Sequence, residues 1–172
     1  MNKKIVLLGM MGSGKTTLGK IISKKLKIKF FDTDSIIEKE CGLKINKIFD
    51  IYGEKYFRKK EEKIILNILS FKHSFVMSLG GGAFLNNILQ KKILKKTISI
   101  WLKPNFITLY HRCKKSNKRP LLQNNINLKQ SLKKFIKERY HIYSKADLTI
   151  TLNKSPNYIS NNIIERIKKE VI

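Results

Sequence analysis

The stretch Lys4-Ile5-Val6-Leu7-Leu8-Gly9-Met10-Met11-Gly12-Ser13-Gly14-Lys15-Thr16 carries three signals in a row. Lys4 to Leu8 is an unbroken apolar run after its first residue, which reads as a buried strand. Gly9 to Thr16 fits G-x-x-x-x-G-K-[ST] at every fixed position, and a helix is expected from Thr16 to Leu26. Glycines let the backbone curl so that successive N–H groups face the same phosphates, and a helix starting inside the loop adds the positive end of its dipole. Lys15 is placed to reach the β- and γ-phosphates and the Thr16 hydroxyl to ligate Mg²⁺. Strand, loop and helix in that order read as a nucleoside triphosphate site. Gly12, Ser13, Gly14, Lys15, Thr16 and Thr17 are its expected contacts. The motif leaves the phosphate acceptor open.

Outward from this loop, short apolar runs alternate with longer helical patterns. Further strands are expected at Ile28–Phe31, Phe75–Leu79, Thr97–Leu102 and Asp147–Leu152. Helices are expected at Ser35–Glu40, Ile45–Ile51, Glu54–Phe71, from about Leu85 to Lys95, and at Phe106–Lys114, Leu128–Tyr143 and Asn157–Glu170. The longest is amphipathic, with Phe57, Ile64, Ile65, Ile68 and Leu69 on its apolar side. Lys115 to Asn127 is polar apart from Pro120-Leu121-Leu122 and reads as a mobile lid. Strands alternating with helices imply βαβ units around a parallel sheet. The expected fold is therefore α/β, a three-layer α/β/α sandwich on a five-stranded parallel sheet. It is expected to form a single domain over 1–172, with the lid at about 115–127.

Bulk properties narrow the function. A chain of 172 residues, 42% hydrophobic, suits one domain with a good core. No apolar run is long enough to span a membrane, and none resembles a signal peptide. Cys41 and Cys113 are far apart and lack metal-ligand spacing, so a reduced, cytoplasmic protein is expected. The formal net charge is +25, yet the basic residues are scattered, and only five of 37 are Arg. With Ile and Asn also abundant, this pattern matches the codon bias of an AT-rich genome. Specific nucleic-acid contact usually recruits Arg forks, so no specific nucleic-acid partner is expected.

Three further places point to an acceptor. Phe30-Phe31-Asp32-Thr33-Asp34 follows the second strand and holds two of the chain's four Asp. At a strand's C-terminal end these carboxylates face the crevice of the phosphate loop. Asp32 could hold a Mg²⁺-bound water and Asp34 could deprotonate an acceptor hydroxyl; equally, an Asp here could cap the next helix. Gly80-Gly81-Gly82 ends another strand, where one glycine would serve a turn, so three suggest close approach of backbone to a ligand. In a chain that drifts toward Lys, a retained Arg is suspected of needing its planar fork. Arg119 sits in the lid as Arg119-Pro120-Leu121-Leu122. Arg58 opens the long helix, Arg139 lies late in its helix, and Arg166 reads as surface.

Together these residues resemble the shikimate kinase family over essentially the whole chain. The F-x-D-x-D pattern is matched by Phe30, Asp32 and Asp34. G-E-x-x-F-R with an acidic residue one turn on is matched by Gly53, Glu54, Phe57, Arg58 and Glu61. The glycine turn is matched by Gly80 to Gly82, R-P-L-L by Arg119 to Leu122, and E-R-x-x-x-Y by Glu138, Arg139 and Tyr143. Leu79 departs from the small polar residue often found before the glycines, and Asn153 to Pro156 match too loosely to assign.

The resemblance implies a P-loop kinase of the nucleoside monophosphate kinase type, using ATP and Mg²⁺ to phosphorylate shikimate, and working as a monomer. It implies that Asp34 binds the acceptor diol and assists proton removal. Arg58 and Arg139 clamp the carboxylate, with Gly80, Gly81 and Gly82 lining the acceptor and Gly81 offering backbone to its hydroxyls. Lys15 and Arg119 act on the transferred phosphoryl, Arg112 stacks near adenine, and Thr16 with Asp32 serves Mg²⁺. A gluconate or nucleoside monophosphate kinase is the nearest alternative. A basic, non-catalytic nucleotide-binding module is a more distant one.

Overall fold

The computed structural model describes residues 3–115 and 127–169. Its first strand, β1 (Lys4–Leu8), lies at the centre of a sheet and is buried on both faces, as its apolar run requires. The chain continues through α1 (Lys15–Leu26), β2 (Lys29–Asp32), α2 (Thr33–Cys41), α3 (Ile45–Leu69) and β3 (Phe75–Ser78). A short 3₁₀ turn, Ala83–Leu85, leads into α4 (Asn87–Lys96), β4 (Ile98–Lys103) and α5 (Phe106–Lys114). After the undescribed stretch come α6 (Leu128–Tyr143), β5 (Leu148–Thr151) and α7 (Pro156–Lys169).

All five strands pair in parallel in the order β2-β3-β1-β4-β5. Leu18 and Ile22 of α1 and Ile159, Ile163 and Ile167 of α7 cover one face. The other face is covered by α3 to α6, through residues such as Ile65, Ile93, Leu109 and Leu132. This is the expected three-layer α/β/α sandwich. The register aligns Leu7 with Ser78 and Ser78 with Asp32. The segments leaving β1, β2 and β3 therefore emerge in one row at the C-terminal edge, and connections depart to both sides of β1. That is where open α/β sheets hold ligands.

Local chemistry sets the element ends. Asn86, Asn105 and Asn127 each accept a backbone N–H as the N-caps of α4, α5 and α6, so part of the chain's asparagine content is structural. As expected, the helix is interrupted at Gly53, whose φ 76°, ψ 168° is not helical, so α3 consists of two helical pieces meeting there. One detail differs from the sequence expectation. α2 starts directly at Thr33, because Asp32 itself is the cap, its Oδ1 accepting from the Ser35 N–H at 3.1 Å.

Candidate active site

The phosphate loop has the curl its glycines permit, with φ of 135°, 76° and 87° at Gly9, Gly12 and Gly14. The Ser13 N–H closes the curl on the Met10 carbonyl at 3.1 Å. Lys15 is 9% exposed, and its ammonium donates to the Gly9 and Met10 carbonyls, both at 2.9 Å. From α5, Arg112 donates to the Gly12 carbonyl at 3.2 Å. Across the loop mouth the Thr16 hydroxyl donates to Asp32 Oδ2 at 2.6 Å. Asp32 is thus both cap and partner of Thr16, so the two readings of this residue are compatible. Hard oxygens at this spot, beside a phosphate cradle, fit Mg²⁺, which favours one or two protein oxygens together with phosphate and water. No group of three or more His, Cys, Asp or Glu forms a metal cage among the described residues.

The acceptor side is assembled around the glycine turn. The Thr33 hydroxyl donates to the Ser78 carbonyl at 3.2 Å and accepts the Gly80 N–H at 3.0 Å, tying the end of β2 to the turn. A Cβ on Gly80 would press on Glu61 and come within 2.7 Å of Asp34 Oδ1, and one on Gly82 would come within 2.6 Å of an Arg58 nitrogen. Carboxylates and a guanidinium crowd the turn, so a side chain at Gly80 or Gly82 would have to displace them. Arg58 uses its Nε and one terminal nitrogen on Glu54 Oε1, at 3.1 and 3.0 Å, and the other on Glu61 Oε2 at 2.7 Å. These bonds engage three of its five N–H donors. Arg139, 6% exposed, stacks its guanidinium 4.3 Å from the Phe135 ring centroid and reaches the Gly81 carbonyl at 3.5 Å. Among the described residues, Arg139 Nε and Glu61 Oε1 are buried and lack a hydrogen-bond partner, a donor and an acceptor that suit a polar ligand.

One cleft of about 690 Å³ is lined by Gly12 to Thr17, Asp32, Asp34, Arg58, Gly80 to Gly82, Arg112 and Arg139. Every expected site residue is therefore gathered there except Arg119, which with most of the expected lid lies outside the described residues. A family model for shikimate kinase matches residues 11–168. The chain belongs to the shikimate kinase family. It is 40% identical, over 97% of its length and 79% of the relative's, to the shikimate kinase of Bartonella henselae. To that of Persephonella marina it is 41% identical, over 96% of its length and 99% of the relative's. Among solved structures, a shikimate kinase from Acinetobacter baumannii in complex with shikimate superposes with a TM-score of 0.94 at 30% identity, covering 99% of this chain and 95% of that one. ATP and Mg²⁺ are the cofactors of shikimate kinases, in keeping with the loop geometry.

The cleft also contains residues to which the sequence assigned no role. Glu38, Ile45, Phe49 and Phe57 form one wall, and Leu152, Lys154, Pro156 and Ile159 line the side nearest β5. The most consequential is Glu61, 1% exposed. Its signal was available: it stands four residues after Phe57 and three before Ile64, on the apolar side of α3. Burial, with help from Asp34 and Glu54, pushes its carboxyl up to about 7 despite the opposing pull of Arg58.

The consequence for stability has a definite sign. Between the ordinary glutamate range and pH 7 the folded chain holds a proton that the unfolded chain has released, so stability falls as pH rises through this window. From pH 5 to 8 the loss from this one group is roughly 2–3 kcal/mol. Thermal melts at several pH values on wild type and Glu61→Gln should show this slope in the wild type and its loss in the variant. Equal slopes would mean that Glu61 does not titrate there.

Proposed function

We propose that this cleft transfers the γ-phosphoryl group of ATP to a hydroxyl of shikimate, giving shikimate 3-phosphate and ADP, a step toward chorismate and the aromatic amino acids. The observation that carries the reading is the pair of arginines, Arg58 and Arg139, set against neighbouring glycines of the turn, with Arg139 Nε unpartnered among the described residues. A small acceptor bearing a carboxylate suits that arrangement, because guanidinium forks bind carboxylates through parallel charge-assisted hydrogen bonds. Asp34 accepts the hydroxyl proton while the freed oxygen forms the new bond to phosphorus and the bond to ADP breaks. Lys15 leaves the loop carbonyls to meet the phosphates, and Gly12 to Thr17 supply the cradle. Arg112 lies at the adenine side. Arg119, outside the described residues, is assigned to the transferred phosphoryl on the resemblance. Mg²⁺, when bound, supplies charge neutralisation on the phosphates, with Thr16 and Asp32 to hold it. Catalysis rests mainly on positioning and charge, as in other phosphoryl transfers. The reading extends to a monomer in the cytoplasm without a specific nucleic-acid partner, since one chain supplies every assigned residue.

Arginine-to-lysine substitutions separate geometry from charge. At Arg58 or Arg139, lysine keeps the charge and loses one or two charge-assisted bonds at about 1.5–3 kcal/mol each. KM for shikimate should then rise about tenfold or more, with KM for ATP unchanged. At Arg119 the loss should fall mainly on kcat, and at exposed Arg166 the change should be silent. Steady-state kinetics with both substrates varied makes the comparison. Arg58→Lys and Arg139→Lys behaving like Arg166→Lys would remove the carboxylate clamp from the account.

A further inference from the structure

The glycine turn is also anchored from behind, by a side chain that plays no part in the chemistry above. Tyr143 is the last residue of α6, 1% exposed, and its hydroxyl donates to the Gly81 carbonyl. The other described group on that carbonyl is an Arg139 nitrogen at 3.5 Å, long for a hydrogen bond and belonging to a guanidinium with a substrate to hold. The Tyr143 ring is fixed in turn against Trp101, with centroids 6.0 Å apart, and the Trp101 ring edge approaches Gly9 of the phosphate loop. Gly81 itself abuts that loop, its Cβ position 3.4 Å from the Met11 nitrogen and 3.8 Å from the Gly9 carbonyl. The turn is therefore where the acceptor side touches the donor side.

We propose that Tyr143 is a positioning residue for phosphoryl transfer: by holding the Gly81 carbonyl it sets the glycine turn, and the acceptor bound on it, at a fixed place against the phosphate loop. The peptide unit is planar and trans, so a carbonyl held toward Tyr143 directs the Gly82 N–H to the opposite side. The turn's other bonds hold the Gly80 N–H, through Thr33, and the Gly80 and Gly82 carbonyls, through the Ala83 and Leu85 N–H; without Tyr143 the Gly81 carbonyl is left among the described residues to Arg139, which binding of the acceptor carboxylate would draw away. Misplacement of reacting groups by a fraction of a bond length is costly when catalysis is mostly positioning. Burial pushes the phenol up to about 12, so the hydroxyl remains a donor across the working range of the enzyme.

The inference rests on the glycine turn being the acceptor side, so the wild type is measured first; absence of shikimate phosphorylation there would defeat that reading and leave the anchor without a reaction. Given activity, Tyr143→Phe removes one oxygen from a buried ring. The expected result is a fall of about tenfold in kcat/KM for shikimate with KM for ATP unchanged. Tyr140→Phe, which removes a hydroxyl from the same aromatic group without touching the turn, should match wild type. Tyr143→Phe with wild-type kinetics, or with KM for ATP raised as much as KM for shikimate, overturns the proposal. Should the variant fail to fold, the wild-type Gly81 carbonyl resonance, read by NMR through the Gly82 amide, decides. A shift characteristic of a strongly hydrogen-bonded carbonyl supports the anchor, and its absence overturns it.

Discussion

Asp34→Asn lowers kcat by about 10²- to 10⁴-fold, the range over which a positioned general base acts. The change is nearly isosteric, and it leaves the cap of α2 in place because that cap is Asp32. It also removes a negative charge facing Glu61 across Gly80, a charge that helps push the Glu61 carboxyl up. The fold should therefore be retained while turnover collapses. Loss of activity with retained stability marks a residue kept for chemistry. Kinetics and thermal melts on the same preparation check both halves. A variant with kcat within a few-fold of wild type would take proton removal away from Asp34.

Lys15→Ala lowers kcat by about 10²- to 10³-fold, comparable to deleting a preorganised donor at developing charge. Its ammonium donates to the Gly9 and Met10 carbonyls, so it is pre-placed at the mouth of the curl and exchanges those partners for phosphate oxygens. KM for ATP should rise as well, since the same contact serves the ground state. Lys15→Arg should rescue little, because a guanidinium has no room in a pocket where the native side chain is 9% exposed. Kinetics at saturating shikimate with ATP varied tests this. Wild-type turnover in the Lys15→Arg variant would mean that charge alone suffices.

Much of this architecture is legible in the residues, for identifiable reasons. β1, α5 and α6 occur at the expected residues because apolar runs, Asn caps and polar ends coincide there. The phosphate loop, the Asp pair and the triple glycine each follow a strand, and the parallel register brings them into one row. What stayed hidden depends on tertiary contact. Glu61 was visible as part of a motif, while its burial emerges only once α3 lies against the glycine turn. Tyr143 was visible as part of a motif, while its partner Gly81 is 62 residues away in sequence. Leu152 to Ile159 have no periodic signal that would mark them as a cleft wall.

The most direct test of the whole account is Mg²⁺-dependent ADP release by the purified chain, measured side by side with shikimate, gluconate and nucleoside monophosphates as acceptors. The account predicts turnover with shikimate far above the others, and none without Mg²⁺. Faster turnover of gluconate or of a nucleoside monophosphate than of shikimate would contradict it.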